Sequence, residues 1–153
     1  MAALSLLDLE ATLDLGRRIG AASRPGDVLL LEGPLGAGKT VLVRGVAAGL
    51  GSADEVVSPT FVLVRHYQGR LPLVHADLYR LADPADVERL GLLELAEDGV
   101  LVVEWPERAP RLEATATLRI SLGAGPAETA RAATILFVAP HLEPALAQLA
   151  PDR

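Results

Sequence analysis

The 153-residue chain contains no cysteine, and only one of its fourteen basic residues is a lysine. Without cysteine there are no disulfide bonds and no thiolate metal sites, which fits a reducing compartment. No uncharged apolar run approaches the ~20 residues that are needed to cross a bilayer. The first residues carry Asp8 and Glu10 and no basic segment, so they do not resemble a signal peptide. We therefore expect a cytoplasmic protein that does not enter a membrane.

Positive charge is also scarce. Twenty acidic residues against fourteen basic ones leave a formal net charge of −6 at pH 7. Because affinity for a nucleic-acid backbone depends on clustered Lys and Arg, we expect any contact with RNA to be indirect. Half of the residues are hydrophobic, and the length suits one domain with a substantial core. We predict a single domain over residues 1–153.

The lone lysine, Lys39, lies in a segment that matches the phosphate-binding motif G-x-x-x-x-G-K-[ST], namely Gly33-Pro34-Leu35-Gly36-Ala37-Gly38-Lys39-Thr40. The chain uses arginine for every other cation, so a single lysine suggests a place where a planar guanidinium does not fit. A compact ammonium reaches between the β- and γ-phosphate oxygens of a nucleotide. The hydroxyl of Thr40 is the expected ligand of Mg²⁺ in such a loop.

The surroundings of the motif agree with this interpretation. An apolar run at residues 27–32 predicts a buried strand before the loop, and residues 41–48 predict a helix after it. Glycines allow a tight loop whose N–H groups point inward, and the helix N-terminus adds partial positive charge at the same place. The alternative is a chance glycine-rich turn. The strand, the helix and the lone lysine in register favour a phosphate-binding loop.

The rest of the chain predicts a single three-layer α/β domain with a mixed, largely parallel central sheet, the fold class of P-loop NTPases. Ser5 and Asp8 resemble a helix start, and Leu6, Leu9 and Leu13 would share one face of that helix. The remaining predicted elements are a β-hairpin of residues 60–67 and 71–77, a helix over 84–95, strands at 100–104, 118–122 and 134–138, and a helix over 140–149.

Two of these strands end in a carboxylate. Asp77 closes one and Glu104 closes another, and a phosphate-binding loop needs such a group on a neighbouring strand to hold Mg²⁺. We assign Glu104 to the metal and Asp77 to the γ-phosphate or its attacking water, either as base or as positioner. His75 shares a strand face with Asp77. A structural role for each carboxylate is the alternative, because acids also occur in structural networks.

Two further features are ambiguous when taken alone. Ser58 and Thr60 lie between the loop helix and the hairpin, where hydroxyl groups can meet a γ-phosphate or Mg²⁺, as in ordered switch loops. Pro59 between them is equally typical of an ordinary turn. Trp105, the sole tryptophan, directly follows Glu104, and core packing would be the usual role of its indole.

The motifs in their order resemble the TsaE (YjeE) family of bacterial ATPases, which are required to make threonylcarbamoyladenosine in tRNA. The resemblance covers nearly the whole chain. It rests on a threonine in the first helix, Leu-Gly-Ala-Gly-Lys-Thr, Ser58-Pro59-Thr60-Phe61, His75-Ala76-Asp77-Leu78-Tyr79-Arg80 and Val103-Glu104-Trp105-Pro106-Glu107. Pro34 and Val41 depart from the family, which usually has Asp and Thr there. Neither change removes a phosphate or metal ligand.

The resemblance implies roles for individual residues. Thr12 would approach the nucleotide from the first helix, and Arg131 would contact ATP from the late part of the chain, although Arg119 lies nearby in sequence. Thr40 and Glu104 would hold Mg²⁺. The phosphates would be wrapped by Gly33, Gly36, Ala37, Gly38, Lys39, Thr40 and Val41. A switch or partner-responsive set would comprise Ser58, Thr60, His75, Tyr79, Arg80 and Trp105.

The family also implies partners, namely the TsaB and TsaD proteins. ATP hydrolysis would reset the transferase complex that modifies position 37 of tRNAs reading codons that begin with A. A small-molecule P-loop kinase is the enzymatic alternative, and a nucleotide-gated binding module without catalysis is the third. Against the kinase, the sequence has no arginine-rich segment that would close over a second substrate.

Overall fold

The computed structural model describes residues 2–59 and 63–147, and this part of the chain forms one sheet of seven strands flanked by helices. The strands are β1 (Ala2–Leu6), β2 (Val28–Glu32), β3 (Val64–Tyr67), β4 (Leu73–Asp77), β5 (Val100–Glu104), β6 (Leu118–Ala124) and β7 (Arg131–Val138). The α-helices are α1 (Leu9–Ala22), α2 (Lys39–Gly49), α3 (Pro84–Arg89), α4 (Leu92–Leu95) and α5 (Glu143–Ala147). Two 3-10 segments, Pro106–Arg108 and Pro110–Thr115, follow β5.

The strand order is β1-β7-β6-β2-β5-β4-β3. The four central strands β6, β2, β5 and β4 are parallel, and β3, β7 and β1 join them in antiparallel pairs. The predicted mixed sheet with a parallel centre is therefore confirmed. Because the central strands run the same way, their carboxyl ends meet at one edge of the sheet.

Helical segments cover both faces of the sheet, as the three-layer prediction requires. Leu29 and Leu31 of β2 point into a core shared with α1, α2 and α5, whereas Val28 and Leu30 point into a second core with α3, α4 and the second 3-10 segment. Alternating side chains explain this division. Since β2 is apolar on both faces, it occupies the buried centre of the sheet, and it carries the phosphate-binding motif at its end.

The predicted start of the first helix is wrong. Ser5 and Leu6 belong to β1, which pairs with β7, and the helix begins at Leu9 with Asp8 as its N-cap, whose carboxylate accepts a hydrogen bond from the N–H of Ala11 at 2.8 Å. Leu9 is 48% exposed. The buried stripe consists of Thr12, Leu15, Gly16, Ile19 and Gly20. Pairing with a strand more than a hundred residues away takes Leu6 out of the helix.

Glycines bring α1 and α2 into close contact. A Cβ atom added to Gly16 would lie 2.3 Å from the carbonyl oxygen of Leu42, and one added to Gly45 would lie 2.3 Å from that of Leu13. These distances are too short for any side chain, so even a methyl group would force the helices apart. The crossing fixes the position of Thr12 relative to the helix that follows the phosphate-binding motif.

Three other boundaries differ from the predictions. The helix predicted over 84–95 is divided into α3 and α4 by Gly91, whose φ of +60° breaks the helical path. The hairpin is present as β3 and β4, but its predicted first residues, 60–62, lie outside the described part. In the described part the last helix, α5, begins at Glu143 and not at Pro140, and residues 148–149 of the prediction also lie outside. None of the helices in the described ranges is both long and apolar enough to cross a membrane.

Candidate functional site

The glycine-rich loop joins the carboxyl end of β2 to the first turn of α2. Gly36 and Gly38 have φ values of +79° and +97°, which other residues rarely adopt. The loop therefore has the backbone conformation that the motif predicts. Helix α2 begins at Lys39, so the positive end of its dipole faces the same edge of the sheet.

The side chain of Lys39 folds back over the glycine-rich loop toward Gly33. Its Nζ donates a hydrogen bond to the carbonyl oxygen of Gly33 at 2.6 Å and lies 4.2 Å from the centroid of the Trp105 ring. Burial lowers the pKa of Lys39, and the negative charges of Glu104, Asp77 and Glu107 oppose that shift. In this structure the ammonium is therefore held by the Gly33 carbonyl and the face of the indole.

Asp77 and Glu104 lie side by side at the carboxyl ends of β4 and β5. They are register partners in the parallel pair, and Glu104 is also paired with Leu31 of β2, next to the loop. Each is only 4% exposed. Asp77 accepts a hydrogen bond from the N–H of Tyr79 at 2.9 Å. The sheet thus brings together the two carboxylates that the sequence selected from separate strands.

His75 lies one layer deeper in the same strand as Asp77. Its Nε2 is 2.6 Å from Oε2 of Glu104, and the ring is completely buried. Its Nδ1 has no hydrogen-bond partner among the described residues. The sequence placed His75 on the same strand face as Asp77; the hydrogen bond that the structure shows for its ring joins it to Glu104 of the neighbouring strand.

Trp105 leaves β5 in a left-handed conformation, with a φ of +59° that is unusual for a residue with a side chain. Such a conformation costs on the order of 1–3 kcal/mol and persists where the surroundings impose it. It accompanies the placement of the indole against Lys39 and against the ring of Tyr79, whose centroid is 4.8 Å away. The indole is only half-buried and borders the loop, so simple core packing does not describe it.

Arg131 contacts the loop from β7, which lies on the other side of β2 from β4 and β5 in the sheet. Because β7 is antiparallel to β6, its first residue lies at the carboxyl edge of the central strands. The guanidinium donates to the carbonyl oxygens of Glu128, Ala130 and Gly36, at 2.8, 2.7 and 3.3 Å. Its Nε is buried without a partner among the described residues. Arg119, the other candidate, instead forms an ion pair with Glu32 at 2.6 Å.

These groups line one cleft of about 360 Å³. Its walls contain Leu35, Gly36, Ala37, Gly38, Lys39, Thr40, Val41, Ser58, Asp77, Glu104, Trp105 and Arg131. Two larger cavities, of about 550 and 560 Å³, contain none of these residues. We regard the smaller cleft as the candidate site because it gathers the loop, the lysine and both carboxylates.

The other predicted residues lie around the cleft rather than in its walls. Thr12 is buried beside α2, and its hydroxyl has no hydrogen-bond partner in the described ranges. Tyr79 and Arg80 follow Asp77 in an exposed turn, and Thr60 lies outside the described residues. Leu35 was not predicted: it is 67% exposed at the tip of the loop, and its position in the motif tolerates any residue.

The fold and the cleft define a single-domain α/β protein with a glycine-rich loop between a central parallel strand and a helix. The family model described as "Threonylcarbamoyl adenosine biosynthesis protein TsaE" matches residues 6–133. The chain belongs to the TsaE family, whose members take part in the biosynthesis of threonylcarbamoyladenosine in tRNA. The resemblance inferred from the motifs is thereby confirmed.

Individual relatives agree. The chain is 46% identical over 117 residues to the "tRNA threonylcarbamoyladenosine biosynthesis protein TsaE" of Nostoc sp., covering 72% of this chain and 71% of that protein. It is 44% identical over 110 residues to the protein of the same name from Treponema pallidum, covering 69% and 82%. The crystal structure of YdiB from Bacillus subtilis superposes with a TM-score of 0.71 at 31% identity, covering 97% of this chain and 95% of YdiB.

Trp105 provides an optical test of the cleft. Its emission is expected to change when ATP and Mg²⁺ are added, because the Lys39 ammonium that lies against its ring should turn toward the phosphates. A fluorescence titration measures this directly, since the chain has no other tryptophan. Lys39→Ala is the matched control and should give a much smaller change. Constant intensity and wavelength at saturating nucleotide would contradict the assignment.

Proposed function

We propose that this protein is a Mg²⁺-dependent ATPase that serves the complex which installs threonylcarbamoyladenosine at position 37 of tRNAs reading codons that begin with A. One observation carries the proposal: Lys39, Thr40, Asp77 and Glu104 border one cleft at the carboxyl edge of the parallel strands, in a chain of the TsaE family. That edge is where α/β proteins of this kind bind their ligands.

Several features support ATP as the ligand. The loop and the N-terminus of α2 suit the phosphates, because backbone N–H groups and the helix dipole attract negative charge. Lys39 already donates to a neutral carbonyl oxygen, and an anionic phosphate oxygen would be the stronger acceptor for its ammonium. Arg131 borders the same cleft, and we assign it to a contact with the nucleotide, whereas Thr12 is buried outside the walls of the cleft.

The side chains at the cleft also fit Mg²⁺. The hydroxyl of Thr40 and the carboxylate of Glu104 are oxygen ligands, and Mg²⁺ is commonly held by one or two such groups together with substrate phosphates. When bound, the ion neutralises charge on the β- and γ-phosphates. Asp77, on the strand beside Glu104, would then hold the attacking water or accept its proton.

Membership of a family that takes part in threonylcarbamoyladenosine biosynthesis supports an accessory role. We propose TsaB and TsaD as partners, with ATP hydrolysis resetting the transferase and with tRNA contacted only indirectly. The formal charge of −6 supports a protein partner over the tRNA backbone. We expect slow hydrolysis by the isolated protein, as in NTPases that receive part of their catalytic machinery in trans.

Phosphate release, measured with and without small-molecule acceptors, separates this function from the alternatives. Release of free phosphate alone, accelerated by TsaB and TsaD, would support the proposal. A phosphorylated acceptor would identify a kinase. Nucleotide binding without either product would identify a binding module.

In cells, depletion of the protein is expected to abolish threonylcarbamoyladenosine in tRNA. A copy carrying Lys39→Ala should fail to restore it, whereas Arg111→Ala, which changes an exposed cation far from the cleft, should restore it fully. Mass spectrometry of digested tRNA measures the modified nucleoside. Normal levels after depletion would refute the pathway while leaving the ATP site untouched.

A further inference from the structure

His75 is the one completely buried ionisable side chain in the described part of the protein, and the proposed ATPase reaction gives it no direct task. It is absent from the walls of the cleft, yet its Nε2 lies 2.6 Å from a carboxylate that does border the cleft. A polar ring in such a place needs a physical reason, because a buried polar group is unfavourable unless its hydrogen bonds stabilise the fold or the site.

We infer that His75 is a positioning residue that holds the Glu104 carboxylate in the orientation required to bind Mg²⁺. The inference rests on the proposed function, because it assigns the partner of the same metal ligand. His75 does not touch nucleotide, water or metal in this scheme. It acts only through Glu104.

The sheet register makes this contact possible. His75 is paired with Val102, two residues before Glu104 in the neighbouring parallel strand, so the two side chains lie on the same face. The imidazole therefore lies on the same face as the Glu104 side chain, and its Nε2 reaches the Glu104 carboxylate. The bond engages Oε2, and the structure contains no other hydrogen bond to the Glu104 side chain from a described residue. Glu104 also borders the cleft, so its carboxylate is placed where a ligand in the cleft would meet it.

The hydrogen bonds of the ring fit the same role. A carboxylate accepts, so Nε2 donates in this bond. Nδ1 has no hydrogen-bond partner among the described residues, so Glu104 is the one partner that the structure shows there for the ring. In many metal sites a donor in this position orients the ligand.

Lys39 explains why Glu104 needs a restraint. The carboxylate of Glu104 is the strongest of the negative charges that act on Lys39. Without His75, no hydrogen bond shown by a described residue would oppose the attraction of this carboxylate to the ammonium, and pairing of the two groups would engage both the proposed metal ligand and the proposed phosphate ligand. In this scheme the hydrogen bond from His75 restrains Glu104 against that attraction.

Nucleotide binding at controlled Mg²⁺ concentration tests the inference without relying on turnover. The variants are His75→Leu, which fills the space without a donor, and His75→Gln, whose amide places an N–H near the position of Nε2. For each, binding of a fluorescent ATP analogue is measured in EDTA and across a Mg²⁺ titration. His75→Leu should need at least about tenfold more Mg²⁺ at the midpoint. Its affinity in EDTA should stay unchanged, and His75→Gln should resemble the parent.

The outcomes separate the possible failures. An unchanged Mg²⁺ midpoint in His75→Leu would overturn the inference. So would an equal loss of affinity in EDTA and in Mg²⁺, which a merely structural role predicts, and so would a His75→Gln variant as impaired as His75→Leu. If His75→Leu does not fold, His75→Asn replaces it, because its amide is too short to reach Oε2. A parent protein whose nucleotide binding does not respond to Mg²⁺ would instead refute the proposed function.

Discussion

Lys39→Ala is expected to weaken ATP binding by about ten- to a hundredfold, since a hydrogen bond to a charged group contributes roughly 1.5–3 kcal/mol. The ammonium is held between the Gly33 carbonyl and the indole of Trp105, so it is already positioned at the loop. No other lysine exists in the chain to replace it. Titration of labelled ATP against the purified variant measures the loss.

Lys39→Arg tests whether a positive charge alone is sufficient at this position. We expect it to fail as well, because the planar guanidinium is larger than the ammonium and would have to fit between Gly33 and Trp105. Arg111→Ala serves as the control for a general change of surface charge. Full affinity in Lys39→Arg would refute the argument that a point charge is required.

Asp77→Asn is expected to lower hydrolysis by about a hundredfold while nucleotide binding stays close to that of the parent. Positioning of water or acceptance of its proton matters mainly in the transition state, and such groups commonly contribute a hundredfold or more. Single-turnover hydrolysis and equilibrium binding, measured on the same preparation, separate the two effects.

Glu104→Gln is the companion variant. We expect its main effect on Mg²⁺-dependent nucleotide binding, whereas the main effect of Asp77→Asn is on hydrolysis. A neutral amide is a poor ligand for a hard cation, so Mg²⁺-dependent binding should weaken while binding in EDTA is retained. Glu94→Gln, an exposed acid outside the cleft, is the matched control and should behave as the parent. If Asp77→Asn lost Mg²⁺-dependent binding and Glu104→Gln lost only hydrolysis, the two assignments would have to be exchanged.

The elements that could be predicted from the sequence are those with strong local signals. The central strands β2 and β5 are continuous apolar runs, and such runs occur where both faces of a strand are covered. The glycine-rich loop has a motif that requires its backbone conformation. In each case the property that identifies the element is contained in fewer than ten neighbouring residues.

The errors occurred where distant parts of the chain decide the local structure. Leu6 continues the helical spacing of Leu9 and Leu13, but residues 2–6 pair with β7 and form an edge strand. The segment 84–95 has helical composition, but Gly91 takes a left-handed conformation that divides it. Weak local preferences of this kind yield readily to tertiary contacts.

By itself the sequence selected the residues to which we assign the chemistry. The lone lysine in a phosphate-binding motif, the acids that end two apolar strands and the order of motifs that identifies the family are all properties of the chain. Tertiary structure alone decided how these residues meet. The bond from His75 to Glu104, the indole over Lys39 and the contact of Arg131 with the loop all join separate segments. Register, strand order and side-chain direction set those distances, and none of them can be derived from local sequence, because each depends on the packing of the whole sheet.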